Sequence, residues 1–387
     1  MDVQAQSLNQ TIERINPGVA QMLSARGKNI FFPKLGILSQ AAQARGKNIN
    51  ATIGEAREDD GSSMHLEEFE NLIKLPIQNI FPYAPSYGKP EIRDKWKEFM
   101  YKKNPSLKDR VVSRPIATNG LTHGLSMAGY MFVDEGDTVI LSDLYWENYD
   151  LLFDNGYGAH LETFNLFKEG GFDTGAFAAK LGSLKQEKVI LLMNFPNNPS
   201  GYTPLTHEVE LILEALGKLA GSGKKVVVII DDAYYGLVYG ENVFPESIFA
   251  KLAGLHENLL AVKLDGATKE DYVWGFRVGF ITYGVKGGTP ELYEALEAKT
   301  AGAIRGNISN ISHLSQSLLL NVYLTDTYEA TKKKKYKILK ARYDILKDCL
   351  ENEDGFIRNA YPMGEPSCAR IEFYVPYTKQ QLEIQIQ

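Results

Sequence analysis

Five short apolar runs, Thr138–Leu141, Val189–Met193, Val226–Ile230, Leu259–Leu264 and Val278–Thr282, punctuate longer amphipathic stretches. A strand with one wet face alternates polar and apolar residues, so unbroken runs predict strands covered on both faces, and parallel strands have crossover helices to supply that cover. Between the second and third runs, Leu211, Ile212, Ala215, Leu216 and Leu219 form one helical face within 205–219, a suitable crossover. The runs therefore predict an α/β fold with a mainly parallel central sheet between helices. The chain has 387 residues. Cores seldom grow beyond about 250 to 300 residues before splitting, so a second, smaller domain is expected.

Charge and composition exclude several functions. With 48 acidic against 42 basic residues the chain has no basic field to hold a phosphate backbone, so nucleic acid is not an expected partner. No apolar run approaches the roughly 20 residues of a membrane span. The first residues, Met1 to Arg14, are polar and predict no secretory signal. Two cysteines, Cys349 and Cys368, are too few for a disulfide framework and fit a reducing, cytoplasmic setting. No metal is implied. From Tyr328 to Leu350, apolar residues at helical spacing flank the run Lys332–Lys335, which reads as a solvated helix face.

The chemistry-bearing residues follow the runs. Lys269, in Asp265-Gly266-Ala267-Thr268-Lys269, comes just after Leu259–Leu264, where open α/β sheets place ligands; a solvated loop lysine is the plain alternative. Asp231 ends Val226–Ile230, where it could oppose a buried cationic ring nitrogen or cap a helix. Asn198, in Asn197-Asn198-Pro199-Ser200-Gly201, follows Val189–Met193 in a segment that makes a turn in any protein but brings an amide to the same edge. Asn119 to Gly124 opens a helical stretch through Phe132, and Gly120 there lets backbone N–H groups approach a phosphate. His123 reads as a helix-start residue rather than a catalyst. Dinucleotide and nucleoside-triphosphate fingerprints are lacking.

In order and near spacing, these segments resemble the aspartate-aminotransferase-like family, the class I and II aminotransferases of pyridoxal-phosphate fold type I. The likeness runs from about Gly54 to Gly279 and includes Tyr83-Ala84-Pro85-Ser86-Tyr87-Gly88, Asn198-Pro199-Ser200-Gly201, Asp231-Asp232-Ala233-Tyr234, and Lys269 followed by Gly275-Phe276-Arg277-Val278-Gly279. The resemblance implies that pyridoxal 5′-phosphate is carried by Lys269 as a Schiff base and that Asp231 pairs with the ring nitrogen. It further implies that Asn198 and Tyr234 bond the ring hydroxyl, Trp146 stacks on the ring, and Gly120, Leu121, Thr122 and Arg277 hold the phosphate. Tyr83 would reach the phosphate of a neighbouring subunit in a homodimer. Gly54 and Arg370 would grip a substrate carboxylate, and Arg305 a second one, giving an L-amino acid and a 2-oxo acid as partners, aspartate- or glutamate-like or aromatic.

The chain also departs from that pattern. Gly266 stands where the family usually has Ser or Thr, leaving Thr268 to replace the contact. Tyr361 is followed closely by Arg370, so the C-terminal unit reads as shortened near 363–364, with a strand at Arg370 and a helix over 378–386. The expected organisation is 1–60 as N-terminal segment and part of the small domain, 61–335 as large domain, and 336–387 as the rest of the small domain. A lyase or decarboxylase on the same scaffold, or a non-catalytic binding protein that kept the fold, are the alternatives.

Overall fold

The computed structural model describes residues 1–31, 44, 55–240, 242–352, 369–374 and 381–386. All five apolar runs are strands. In chain order the strands are β1 (Ile116–Thr118), β2 (Thr138–Ser142), β3 (His160–Phe164), the hairpin pair β4 (Phe167–Lys168) and β5 (Gly171–Phe172), then β6 (Lys188–Asn194), β7 (Lys225–Asp231), β8 (Leu259–Gly266) and β9 (Gly279–Val285). Seven of them form one sheet in the order β1-β9-β8-β7-β6-β2-β3. Strands β3, β2, β6, β7 and β8 pair in parallel, whereas β9 runs antiparallel to both β8 and β1. The run Val278–Thr282 was expected to be parallel like the others. Its apolarity reflects burial on both faces, which does not depend on strand direction.

That burial is visible residue by residue. On β6, Val189, Leu191 and Met193 enter one core cluster while Ile190 and Leu192 enter the other; on β7, Val226, Val228 and Ile230 oppose Ile229 in the same way. Each fully buried aliphatic side chain contributes about 1.5–3 kcal/mol. The crossover between β6 and β7 is the helix Thr206–Gly221, which buries Val209, Ile212, Leu216 and Leu219. Leu211, expected on that face, is 45% exposed. Strands β1 and β3 carried no apolar run: β1 has three residues, and β3 is an edge strand largely open to water.

Topology gathers the strand ends. Asn194 pairs with Asp231 and Asp231 with Leu264, so β6, β7 and β8 finish at one edge. Because β9 is reversed, its first residue, Gly279, arrives at that edge opposite Gly266 and Thr118. The helix Gly120–Phe132 therefore starts, and Arg277 sits, where β7 and β8 end.

The helix Tyr328–Asn352 is continuous through the expected domain boundary at 335–336. Its lysine run is a solvated face only in part: Lys333 and Lys334 are exposed, but Lys335 is buried against Glu58 and Lys332 is ion-paired to Glu270 and Asp271. Near the end of the chain, β10 (Ala369–Tyr374) contains Arg370 as expected and pairs antiparallel with β11 (Gln381–Ile386). The helix expected over 378–386 is thus replaced by a strand; Leu382, Ile384 and Ile386 alternate with polar residues, a period of two rather than 3.6. The expected shortening near 363–364 lies outside the described residues.

Candidate active site

A cavity of about 290 Å³ opens at the shared strand edge and is lined by Leu121, Thr122, Trp146, Tyr149, Asn194, Asn198, Asp231, Ala233, Tyr234, Thr268, Lys269, Trp274 and Arg277. Ten of the residues singled out in the sequence are therefore around one space or directly beneath it: nine line it, Thr268 among them, and Gly120 supports Arg277.

Asp231 ends β7 and is 3% exposed. Tyr149 donates its hydroxyl to Asp231 Oδ2 at 2.8 Å, and the Ala233 N–H donates to Oδ1 at 3.0 Å. The second contact closes a turn over 233–236; no helix begins there, so the helix cap that the sequence offered as the alternative is not formed. Burial pushes the Asp231 carboxyl up to about 6, against the Tyr149 and Ala233 hydrogen bonds and the Lys269 charge that pull it down. A cation delivered to this oxygen pair would relieve that cost.

Lys269 lies in a one-turn helix, Ala267–Glu270, directly after β8, with Nζ 5.1 Å from the centre of the Tyr234 ring. Asn194 ties two neighbouring strand ends together, donating its side-chain amide to the Asp231 carbonyl at 2.9 Å and accepting the Asn198 N–H at 2.7 Å. Asn197 is consumed by its own turn, bonding Ser200 and the Leu144 carbonyl, which leaves Asn198 as the amide on the cavity wall. Trp146 meets the Tyr149 ring edge-on at 5.6 Å and forms another wall.

The opposite end is cationic and glycine-lined. Gly120 has φ +75°, and a Cβ there would lie 2.6 Å from Arg277 Nη2, so the guanidinium packs on a bare helix start. Arg277 itself has φ +53°, an uncommon left-handed conformation for a non-glycine residue. Thr268 Oγ1 and Trp274 Nε1 are buried without a hydrogen-bond partner although both residues line the cavity. A buried donor left unmet costs about 1–3 kcal/mol, so the site is built to receive acceptor atoms. His123 accepts the Asn119 N–H at 3.0 Å and burial lowers its pKa to about 4, which keeps it neutral and structural.

A cofactor with a cationic ring nitrogen, a ring hydroxyl and a phosphate fits this donor set. Asp231 would face the nitrogen, Asn198 and Tyr234 the hydroxyl, and Arg277, Thr122 and the N-terminus of the helix Gly120–Phe132 the phosphate. Two other expected residues do not join the cavity: Tyr83 is 87% exposed and Arg305 projects from the exposed side of the helix Pro290–Asn307. Arg370 is described only as a residue of β10. Gly54 lies outside the described residues. Tyr149, Asn194 and Trp274 were missed, and no motif in the sequence marked them.

Comparison with known proteins gives the same direction. The profile described as aminotransferase class I and II matches residues 47–363. The probable aspartate/prephenate aminotransferase of Aquifex aeolicus is 26% identical over 292 residues, covering 73% of this chain and 66% of that protein. The aspartate aminotransferase of Geobacillus stearothermophilus is 25% identical over 237 residues, 59% and 54% of the two chains. The chain thus spans less than two thirds of these relatives' length. Among solved structures, an aminotransferase from Anaerococcus prevotii superposes with a TM-score of 0.79 at 24% identity, over 91% of this chain and 87% of that one. A mutant Thermus thermophilus aspartate aminotransferase in complex with tryptophan gives 0.70 at 22% identity, over 90% and 84%.

Proposed function

Since the chain belongs to the class I and II aminotransferase family, we propose that it is a pyridoxal-phosphate-dependent aminotransferase exchanging an amino group between an L-amino acid and a 2-oxo acid. The observation that carries this reading is the single cavity that brings Lys269, Asp231, Asn198, Tyr234 and Arg277 together from separate parts of the chain. When bound, pyridoxal phosphate supplies an electron sink that makes the substrate Cα proton acidic.

The protein's own residues do the rest. Asp231 would hold a proton on the ring nitrogen. Tyr149, by donating to Oδ2, fixes the carboxylate. Arg277 and the helix start would neutralise the phosphate. The Lys269 amine, on the cavity wall, would take the substrate Cα proton as base and return it as acid. Trp146 would form a wall beside the ring.

The reading extends to a homodimer with Tyr83 and Arg305 supplied across the interface. Exposed Ile73, Ile77 and Phe81 precede Tyr83 in the chain, apolar side chains that a subunit interface would cover. Its segment is tied to the residues that follow Arg305, through Ser86 Oγ to the Ser309 carbonyl and His313 to the Pro82 carbonyl, both at 2.8 Å. Arg305 and Arg370 favour a dicarboxylic substrate, with Gly54 contributing a backbone contact. The division into a large domain of 61–335 and a small domain from 1–60 and 336–387 belongs to the same reading, as does a cytoplasmic location. Incubation with ¹⁵N-labelled amino acids and a panel of 2-oxo acids tests it. Label transferred to the acceptor supports it; amino acid consumed without any acceptor requirement contradicts it.

A further inference from the structure

Lys269 is followed by two acids that the reaction does not use, and both are buried. The Glu270 side chain is 4% exposed and that of Asp271 0%. Lys332, from the helix Tyr328–Asn352, reaches both, with Nζ 2.8 Å from Glu270 Oε2 and 2.9 Å from Asp271 Oδ1. Lys103 adds a second cation, 2.5 Å from Glu270 alone. The Tyr323 and Tyr328 hydroxyls donate to Asp271 at 2.7 and 2.8 Å. Two carboxylates and two ammonium groups thus balance around the segment that bears Lys269.

The segment has little to hold itself. Ala267–Glu270 is a single helical turn, and helix nucleation is unfavourable without tertiary support. Burial by itself would raise the Glu270 carboxyl, but the Lys103 and Lys332 charges and hydrogen bonds override it and hold the group below the ordinary carboxylate range. Burial also opposes the Lys332 charge, and Asp271 and Glu270 override that in turn. Glu270 and Lys332 are therefore charged at working pH, and the geometry of the segment is specified by ion pairs rather than by shape alone.

We propose that Lys332 is a positioning residue for Lys269: by bridging Glu270 and Asp271 it fixes the one-turn helix and hence the place of the Lys269 amine on the cavity wall. This rests on the reading of Lys269 as the residue that takes the cofactor aldehyde. It gives the inward half of the four-lysine run a task that a solvated face would not have.

The test separates the amine from the pocket. Cofactor-free full-length protein is mixed with pyridoxal phosphate and quenched with borohydride at intervals. The amine condenses with the aldehyde, losing water, and hydride reduces the C=N bond to a secondary amine that peptide mass spectrometry locates. In parallel, affinity for pyridoxine 5′-phosphate, which has an alcohol in place of the aldehyde, is read from tryptophan fluorescence. Lys332→Met is expected to slow labelling of Lys269 about 10- to 100-fold, with pyridoxine phosphate affinity unchanged, and Lys332→Arg to restore most of the rate. Labelling at the wild-type rate overturns the proposal, and so does a matched loss of rate and affinity, which signifies a merely structural role. If Lys332→Met does not fold, the double variant Asp271→Asn, Lys332→Met removes the stranded carboxylate, leaves the Glu270–Lys103 pair balanced, and is read by the same two measurements. A wild-type chain that is not labelled at Lys269 contradicts the functional reading itself and removes the premise.

Discussion

At Asp231 a buried carboxylate accepts the Tyr149 hydroxyl on one oxygen and the Ala233 N–H on the other, with the Lys269 charge close enough to pull its pKa down. Its folded pKa of about 6 lies above the ordinary value of 3.8, so in the cofactor-free chain it favours the protonated folded form. The sign follows: the cofactor-free protein gains stability as pH falls from about 6 toward 4, and Asp231→Asn stabilises it at pH 7 by up to about 3 kcal/mol. Cofactor affinity runs the other way. Below about 6 the carboxyl takes the proton itself, and affinity should fall toward about tenfold per pH unit. Titration of pyridoxal phosphate between pH 5 and 8 checks this; Asp231→Asn should bind more weakly and lose the dependence in that window. An unchanged pH profile in the variant would show that another group sets it. The roles proposed for Asp231 and Lys269 came from the family resemblance, but their place at strand ends was legible from the apolar runs before them. Tyr149 was not, because a tyrosine three residues after a tryptophan signals nothing until the fold turns its hydroxyl toward β7.

At the level of elements, apolar runs marked strands reliably because both sheet faces are covered, and for the same reason they were silent on direction, which left β9 unassigned as antiparallel. That reversal has a local consequence. A Cβ on Gly266 would lie 2.7 Å from both the Val278 carbonyl oxygen and Gly279 Cα, so β8 and β9 approach too closely for the Ser or Thr expected from the family pattern. Gly266→Ser is predicted to lower stability by about 1–3 kcal/mol, as overpacking does, read as a shifted urea midpoint. Wild-type stability in that variant would mean the strands part easily there. The lysine run of the helix Tyr328–Asn352 shows the opposite limit of sequence reading. Lys332 and Lys335 are three apart and share an inward stripe, but a row of four lysines hides that periodicity because every position has the same polarity.

For the whole molecule, the α/β class and the clustering of strand ends could be read in advance, whereas assembly could not, since a surface patch is defined only once 73–83 is folded. Ile77 and Phe81, which precede Tyr83 in the chain, are 73% and 77% exposed. Ile77→Asp with Phe81→Asp is predicted to yield monomers in sedimentation velocity and to weaken cofactor retention through loss of the partner's Tyr83; an unchanged sedimentation coefficient would place the interface elsewhere. The central claim is that this cavity binds pyridoxal phosphate at Lys269 for amino-group transfer. Its most direct test is the visible spectrum of the cofactor-loaded protein and of Lys269→Ala, before and after a dicarboxylic amino acid is added without acceptor. The account predicts a visible band in the wild type that the amino acid bleaches with stoichiometric release of the 2-oxo acid, and neither in the variant. No retained band in the wild type, or carbon dioxide in place of the 2-oxo acid, would contradict it.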